Sequence, residues 1–298
     1  MAEAHGPAGP RRRLGAELRR LRSKAGLHLE DVAREMTCST SKISRLENGK
    51  GIPKLPDVRE LMRIYGVTAG TERDMLLRLA REGRQQGWWE PYTEGVQAEK
   101  FVLDSPGRYP ALETEAIAVR LFTGMILPGL LQTAAYAREM LAALLPHHLS
   151  AEIDRLVELR MERQRALTRD EAPLQLSAVL DEALLRRVVG GPELMREQLA
   201  VVLEKAAMST VDVRVLAFDA GFHRAHLGQF TLLELREPLD DLVYIEGHGG
   251  DSYLESTEDV KLYKEVYADV VSKALPPPAS EALIREYLHR YESGEGGL

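Results

Sequence analysis

The stretch that decides the fold is LEDVAREMTCSTSKISRLENGKGIP, residues 29–53. Its first part carries apolar side chains at the spacing of one helix face, namely Leu29, Val32, Ala33 and Met36. A second short helix is predicted after residues 37–40, with Ser39 able to cap its amino end and with Ile43 and Leu46 facing inward. The stretch therefore predicts two short helices joined by a tight turn.

Three more helices are predicted around this pair. The first occupies residues 12–25, where leucines recur at helical spacing, and Gly26 ends it. The fourth ends at Gly66, and the fifth is expected to begin at Thr71. Residues 12–81 therefore predict a five-helix domain whose second and third helices form a helix-turn-helix.

These residues resemble the Xre, or phage-repressor, type of helix-turn-helix domain, and the segment ISRLENGK, residues 43–50, is the most telling part of the match. The resemblance implies that residues 40–46 form a recognition helix, which enters the major groove of double-stranded DNA. It places the following side chains at or beside bases and phosphates: Ser39, Thr40, Ser41, Lys42, Ser44, Arg45, Asn48 and Lys50. It implies no cofactor.

Arg45 is the expected base contact, because its planar guanidinium can pair with O6 and N7 of guanine. The resemblance assigns phosphate contacts to Asn48, Gly49 and Lys50, and such contacts position a protein without specifying a sequence. Glu47 is expected to hold the fold together. The family often has glycine at the position of Thr37, where a β-branched residue is costly if the turn requires a positive φ.

Charge is divided unevenly along the chain. The formal net charge is −7, but residues 1–86 carry +7 and residues 87–298 carry −14. A basic module joined to an acidic one is expected of a protein with one nucleic-acid face and one unrelated face. Charge alone leaves open the alternative of an uneven surface without functional meaning.

The composition favours a cytoplasmic protein, associated with the nucleoid when bound to DNA. Cys38 is the single cysteine, so no intrachain disulfide can form, which fits a reducing compartment. Residues 1–11 are expected to form a disordered arm and not a signal peptide. Charged, glycine and proline residues interrupt the most apolar later stretch, residues 116–131, so no membrane span is predicted.

Residues 82–110 are expected to form a hinge and docking segment. Its adjacent Trp88 and Trp89 are typical of an anchor that docks a linker on a core, and base stacking is the alternative. An α+β domain is predicted over residues 111–291, followed by a flexible tail at 292–298. The whole chain is therefore expected to be mainly α, with a small β-sheet in its second domain.

Helical spacing dominates the start of the second domain, including ETEAIAVRLF at residues 113–122 and the segments that follow it to residue 169. Short strand-type runs bounded by Gly, Pro and Asp predict the sheet, at residues 174–180, 211–218, 230–235 and 242–246. Further helices are expected at 193–207, 257–274 and 280–291.

The second domain resembles the uncharacterised domain that follows an Xre-type module in a large group of actinobacterial regulators, sometimes described as antitoxin-like. Phrases that carry the resemblance include PGLLQTAAYAR at residues 128–138, VLDEALLRRVVGG at 179–191 and GQFTLLEL at 228–235. The resemblance implies a regulator that acts with a small partner protein. It implies no catalytic residue.

Groups that could carry other chemistry have simpler interpretations. The adjacent acids Asp181 and Glu182 are explained by helix capping, although paired acids can serve acid–base catalysis. His223, His226 and His248 lack the spacing of a zinc site, so no metal is predicted. The RMERQR run, residues 160–165, is interpreted as a solvated helix face, with partner or DNA contact as the alternative.

These observations predict a transcription regulator that binds a specific operator and catalyses no reaction. The second domain is expected to sense an unknown small ligand, to pair with itself or to dock a partner. We expect a homodimer, because one recognition helix contacts only a few base pairs and two-fold operators raise affinity and selectivity together. The alternative is an antitoxin-like protein that sequesters a small partner protein, with DNA binding serving autoregulation.

Overall fold

Five helices form the first of the two units into which the chain divides, a unit of Met1–Glu90 with Glu237–Leu239. They are α1 (Ala8–Lys24), α2 (Leu29–Glu35), α3 (Thr40–Glu47), α4 (Leu55–Ile64) and α5 (Gly70–Glu82). The structure is a computed structural model that describes residues 7–96, 106–237, 239–247 and 250–293. A four-residue helix, α6 (Glu90–Thr93), follows.

The first helix begins earlier than its leucine spacing indicates. Ala8 and Gly9 are buried within it, and Arg11 Nε donates a hydrogen bond to the carbonyl oxygen of Gly83 at 2.6 Å. The prediction of a disordered arm over residues 1–11 is therefore wrong for residues 8–11, which are helical. Residues 1–6 lie outside the described part of the chain.

The core of the first unit confirms the predicted helix faces. Every helix from α1 to α5 contributes buried side chains to one cluster, which includes Leu14, Leu18, Val32, Ile43, Val58, Leu61, Met62 and Leu76. Gly26 and Gly66 end α1 and α4 at φ values of 70°, a backbone conformation that glycine adopts without steric cost. The two helices of the helix-turn-helix therefore share one apolar core with α1, α4 and α5.

A six-stranded mixed sheet organises the second unit, which comprises Pro91–Arg236 and Asp240–Leu298. Its strands are β1 (Ala116–Thr123), β2 (Gln175–Asp181), β3 (Val211–Leu216), β4 (Phe230–Leu235), β5 (Leu242–Ile245) and β6 (Ser252–Leu254). The order across the sheet is β3-β2-β1-β4-β5-β6. Strand β2 pairs in parallel with β1 and with β3. The pairs β1–β4, β4–β5 and β5–β6 are antiparallel.

Helices supply the crossovers that parallel strands need. Between β1 and β2 lie α8 (Ala134–Leu144) and α9 (Ser150–Arg163), and between β2 and β3 lie α10 (Ala183–Arg186) and α11 (Pro192–Ala206). The unit also contains α7 (Arg108–Thr114), α12 (Thr257–Lys273) and α13 (Pro277–Glu292). No helix in the described ranges has the length and apolar character needed to cross a membrane.

The predicted fold class is confirmed, but one segment predicted as a helix contains a strand. ETEAIAVRLF was expected to be helical, whereas residues Ala116–Thr123 form β1. This strand lies between β2 and β4 and is buried along most of its length on both faces, so its sequence is a nearly continuous apolar run. Such a run does not show the alternation that distinguishes a strand from a buried helix. The sheet is consequently larger than expected, since β1 and the three-residue β6 join the four predicted strands.

Candidate nucleic-acid interface

The amino end of α3 is capped as its sequence predicts. Ser39 adopts an extended backbone, and its Oγ accepts a hydrogen bond from the amide of Lys42 at 3.2 Å. Ile43 and Leu46 are buried in the core of the first unit. These two side chains fix the rotation of α3 about its axis, so that the opposite face is directed to solvent.

The carboxyl end of α3 closes in a Schellman motif. The amide of Gly49 donates to the carbonyl of Leu46 at 3.1 Å, and the amide of Lys50 donates to the carbonyl of Arg45 at 2.8 Å. Gly49 has a φ of 66°, and a Cβ atom there would lie 2.9 Å from the Cα of Arg12. Only glycine fits this position, because both the backbone angle and the close approach of α1 exclude a side chain.

Glu47 holds α3 in place, as predicted. Both of its carboxylate oxygens accept hydrogen bonds from Arg22 of α1, at 2.8 and 2.9 Å, and Tyr65 donates to it at 3.4 Å. Burial and the nearby charge of Glu47 raise the pKa of Tyr65 far above its usual value, so the phenol stays a donor. Hydrogen bonding to Glu47 likewise raises the pKa of Arg22. The network joins α1, α3 and the end of α4.

The turn between α2 and α3 places Thr37 at a position of positive φ. Thr37 has a φ of 51°, in the left-handed region. Its amide donates to the carbonyl of Arg34 at 3.2 Å, and the amide of Cys38 donates to the carbonyl of Ala33 at 2.9 Å. These bonds form a second Schellman motif, in which the β-branched threonine occupies the position that favours glycine.

The solvent face of α3 carries most of the predicted DNA contacts. Six of the eight predicted side chains are exposed, namely Ser39, Thr40, Ser41, Lys42, Arg45 and Lys50, and the other two, Ser44 and Asn48, are half-buried. Within the described ranges, neither Arg45 nor Lys50 forms a side-chain hydrogen bond or ion pair with another residue. Both cations are therefore free to meet a polyanion. Their roles in DNA binding stay predictions.

Lys42, Ser44 and Asn48, which are among the predicted contacts, already have side-chain partners within the domain. Lys42 Nζ lies 2.8 Å from a carboxylate oxygen of Asp57 in α4. Asn48 Nδ2 donates to Ser44 Oγ at 3.3 Å, and Asn48 Oδ1 accepts a hydrogen bond from Arg19. These partners hold the side chains in fixed orientations, and Asp57 reduces the local positive charge at Lys42.

Sequence reasoning missed the contribution of α1 to this surface. Arg12 lies against the backbone of Gly49, and Arg19 reaches Asn48. The two arginines are seven residues apart, so they lie on the same face of α1, two turns from each other. Their heptad spacing was the signal that could have identified them. Arg19 and Lys50 therefore add positive charge near the carboxyl end of α3.

Asp181 and Glu182, the adjacent acids considered for acid–base catalysis, make different contacts in the second unit. Asp181 accepts a hydrogen bond from the amide of Ala183 at 2.8 Å, which is a local capping contact. Glu182 instead accepts from the amide of Phe218 and from the hydroxyl of Tyr287, at 2.8 and 2.7 Å.

The three histidines do not form a recognisable site. His223 packs on Phe122 and His226 packs on Phe222. His248 lies outside the described residues, among which no group of three metal-ligating side chains converges.

Comparison with known families agrees with this geometry. A helix-turn-helix domain family matches residues 13–76, so the first unit belongs to a class of domain associated with DNA binding. A family defined by a domain of unknown function, DUF5753, matches residues 107–286, which is more than half of the chain. The protein belongs to that family. No curated protein and no solved structure matches it.

Proposed function

We propose that the protein is a sequence-specific transcription regulator of the Xre type, whose helix α3 binds an operator in the major groove. One observation carries the proposal. Helix α3 is fixed by Ile43, Leu46 and Glu47 on its inner side, while the side chains of Arg45 in the helix and of Lys50 just after it have no partners among the described residues. A rigid helix with free cations and small polar side chains matches the requirements of base and phosphate contacts.

Operator binding would involve two copies of the chain. Two recognition helices related by two-fold symmetry would contact half-sites one helical turn apart, which multiplies the few base contacts that one helix can make. The uneven charge supports DNA binding by the first unit and a different role for the second, since residues 1–86 carry +7 and residues 87–298 carry −14. The regulator would work in the cytoplasm, at the nucleoid, with no catalytic step and no cofactor. The second unit would sense a ligand, pair with its copy or dock a partner.

A second candidate function is favoured by exposed apolar side chains in the second unit. Phe218, Phe222 and Leu227 lie within ten residues of one another and are 57%, 75% and 89% exposed. Large apolar groups clustered on a surface are typical of protein-binding sites. They support an antitoxin-like role, in which a small partner protein is sequestered and DNA binding serves autoregulation.

Titration of the full chain against its own promoter fragment and a scrambled fragment, over a series of salt concentrations, separates the two functions. A preference of about 1000-fold or more for the promoter is expected of a specific regulator. Equal and strongly salt-dependent binding to both fragments would instead favour the partner-sequestering role, because such binding comes from phosphate contacts alone.

A further inference from the structure

The second unit contains an open-sided cavity of 170 Å³, lined by residues of the sheet and of the helices α7, α8 and α9. Apolar side chains form much of its wall, among them Leu127, Met140 and Phe230. Its volume is close to the roughly 150 Å³ of engineered apolar cavities that bind benzene. The cavity is therefore large enough for a small organic molecule.

Two arginines of α9 meet at one end of this cavity. A Cβ atom on Gly129 would lie 3.3 Å from Nη1 of Arg160 and 3.5 Å from Nη1 of Arg163. Both guanidinium groups therefore converge on the same glycine, which leaves them room because it has no side chain. The interpretation of residues 160–165 as a solvated helix face is wrong for these two arginines, because they point into the fold.

The charge of Arg163 is neutralised within the protein. Its Nε and Nη2 atoms donate to the two carboxylate oxygens of Glu113 at 2.7 and 2.8 Å, and its side chain is only 12% exposed. Burial alone would lower the pKa of Arg163, but the charge and hydrogen bonds of Glu113 raise it above its usual value. The ring of Tyr109 lies 4.9 Å from the guanidinium carbon. Arg163 is thus a fixed part of the wall.

Arg160 has no such partner in the described ranges. Its one hydrogen bond there goes from Nη1 to Gln132 Oε1 at 3.2 Å, although a guanidinium carries five N–H donors. Burial, and then the like charge of Arg163, lower the pKa of Arg160 to about 10. A guanidinium in this position remains protonated at neutral pH, so the cavity contains a positive charge with unused donors.

Two carboxylates, Glu246 of the segment after β5 and Asp251, also line the cavity. Burial raises the pKa of Glu246, and the charges of Arg160 and Arg163 oppose that shift. Its closest hydrogen-bond partner in the described ranges is Gln229, whose Nε2 lies 3.5 Å from a carboxylate oxygen, and no described cation lies within 4 Å of it. Glu246 and Arg160 thus both line the cavity without forming an ion pair with each other.

We propose that this cavity binds a small organic anion, whose carboxylate or phosphate group pairs with Arg160 and whose apolar body packs against Leu127, Met140 and Phe230. A guanidinium group is planar, and two of its N–H groups can donate parallel hydrogen bonds to two oxygens of a carboxylate or a phosphate. The site deepens the sensing role in the proposed function. Its test requires no DNA, so failure of the site and failure of operator binding are distinguishable.

The experiment is calorimetric titration of the full chain with benzoate, phenyl phosphate and neutral benzyl alcohol. We expect the two anions to bind more tightly than the alcohol, and Arg160→Gln to weaken anion binding by about tenfold or more. Arg165→Gln, on the exposed side of the same segment, is the matched control and should bind as the wild type does. Anions that bind no better than the alcohol, or an Arg160→Gln variant that binds them equally well, would overturn the proposal.

If Arg160→Gln does not fold, Glu246→Gln provides a second test. This substitution removes a negative charge from the cavity wall and leaves the side-chain volume nearly unchanged. Benzoate should therefore bind to the variant as tightly as to the wild type, or more tightly. Binding weakened tenfold by Glu246→Gln would show that the anion does not occupy the space near Arg160, and the assignment would be wrong.

Discussion

Arg22 and Glu47 form a bidentate ion pair that ties α1 to the end of α3, with the Glu47 side chain 2% exposed and the Arg22 side chain 15% exposed. Glu47→Gln should lower the free energy of unfolding of the first unit by about 3 kcal/mol, because it leaves a nearly buried guanidinium without its counter-charge. Both tryptophans of the chain, Trp88 and Trp89, lie in this unit, so their fluorescence in a urea titration reports its unfolding.

The matched control for Glu47 is Glu60→Gln. Glu60 also pairs with an arginine, Arg63, but both side chains lie on the surface, where solvent screens the interaction. The urea midpoint of the Glu60→Gln variant should equal that of the wild type. If Glu47→Gln also left the midpoint unchanged, the ion pair would not be the element that holds α3 against α1.

Thr37→Gly should stabilise the first unit by about 1 kcal/mol. Threonine at a φ of 51° is strained, and glycine relieves the steric conflict at a smaller cost in chain entropy. The same fluorescence titration measures the gain. Thr68→Gly is the control, because Thr68 lies outside the positive-φ region and its replacement should give no stabilisation. Equal effects of the two substitutions would contradict a strained turn.

Arg45→Ala and Lys50→Ala should separate specific from general DNA binding. Loss of a guanine contact at Arg45 is expected to weaken operator binding by about 1 to 3 kcal/mol and to relax selectivity at that base pair. Loss of a phosphate contact at Lys50 should weaken binding to DNA of all sequences alike and make the affinity less dependent on salt. Fluorescence anisotropy on operator and scrambled duplexes measures both. Operator binding that Arg45→Ala leaves untouched would show that another residue contacts the base.

Asp57→Asn should strengthen binding to DNA of any sequence. The substitution frees Lys42 from its 2.8 Å ion pair and removes a negative charge beside α3. The slope of log affinity against log salt should become steeper by about 0.9, the value for one added phosphate contact. Asp170→Asn makes the same charge change in the second unit and serves as the control. A gain equal to that of the control would mean that Lys42 lies away from the phosphates.

The sequence predicted the first unit well because its signals are local. Ile43 and Leu46 set the inner face of α3, and Gly26 and Gly66 mark helix ends through a backbone angle that glycine adopts easily. The extra turn of α1 was missed because it depends on a contact of Arg11 with Gly83, which is distant in sequence. The exposed residues of α3 could be named in advance, but the pairing of Lys42 with Asp57 could not.

Prediction was weaker in the second unit, where non-local packing decides the outcome. Strand β1 is a nearly continuous apolar run, a pattern that a buried helix can also have, and its place at the centre of the sheet, between β2 and β4, determines its conformation. Arg163 was assigned to solvent because arginine is mostly exposed, and only the distant Glu113 makes its burial tolerable. The cavity beside it could not be predicted, since its lining comes from several segments far apart in the chain.

Gly15 allows the backbone of α1 to contact the backbone of α3 directly. A Cβ atom at Gly15 would lie 2.5 Å from the carbonyl oxygen of Glu47, so the backbones of α1 and α3 approach each other with no side chain between them. Backbone contacts of this kind leave no room for a rotamer change to shift α3. In the proposed complex with DNA, α3 would therefore keep the same shape on every duplex. Discrimination would then depend on how readily each operator bends or twists to meet the helix, including base pairs that the protein never touches.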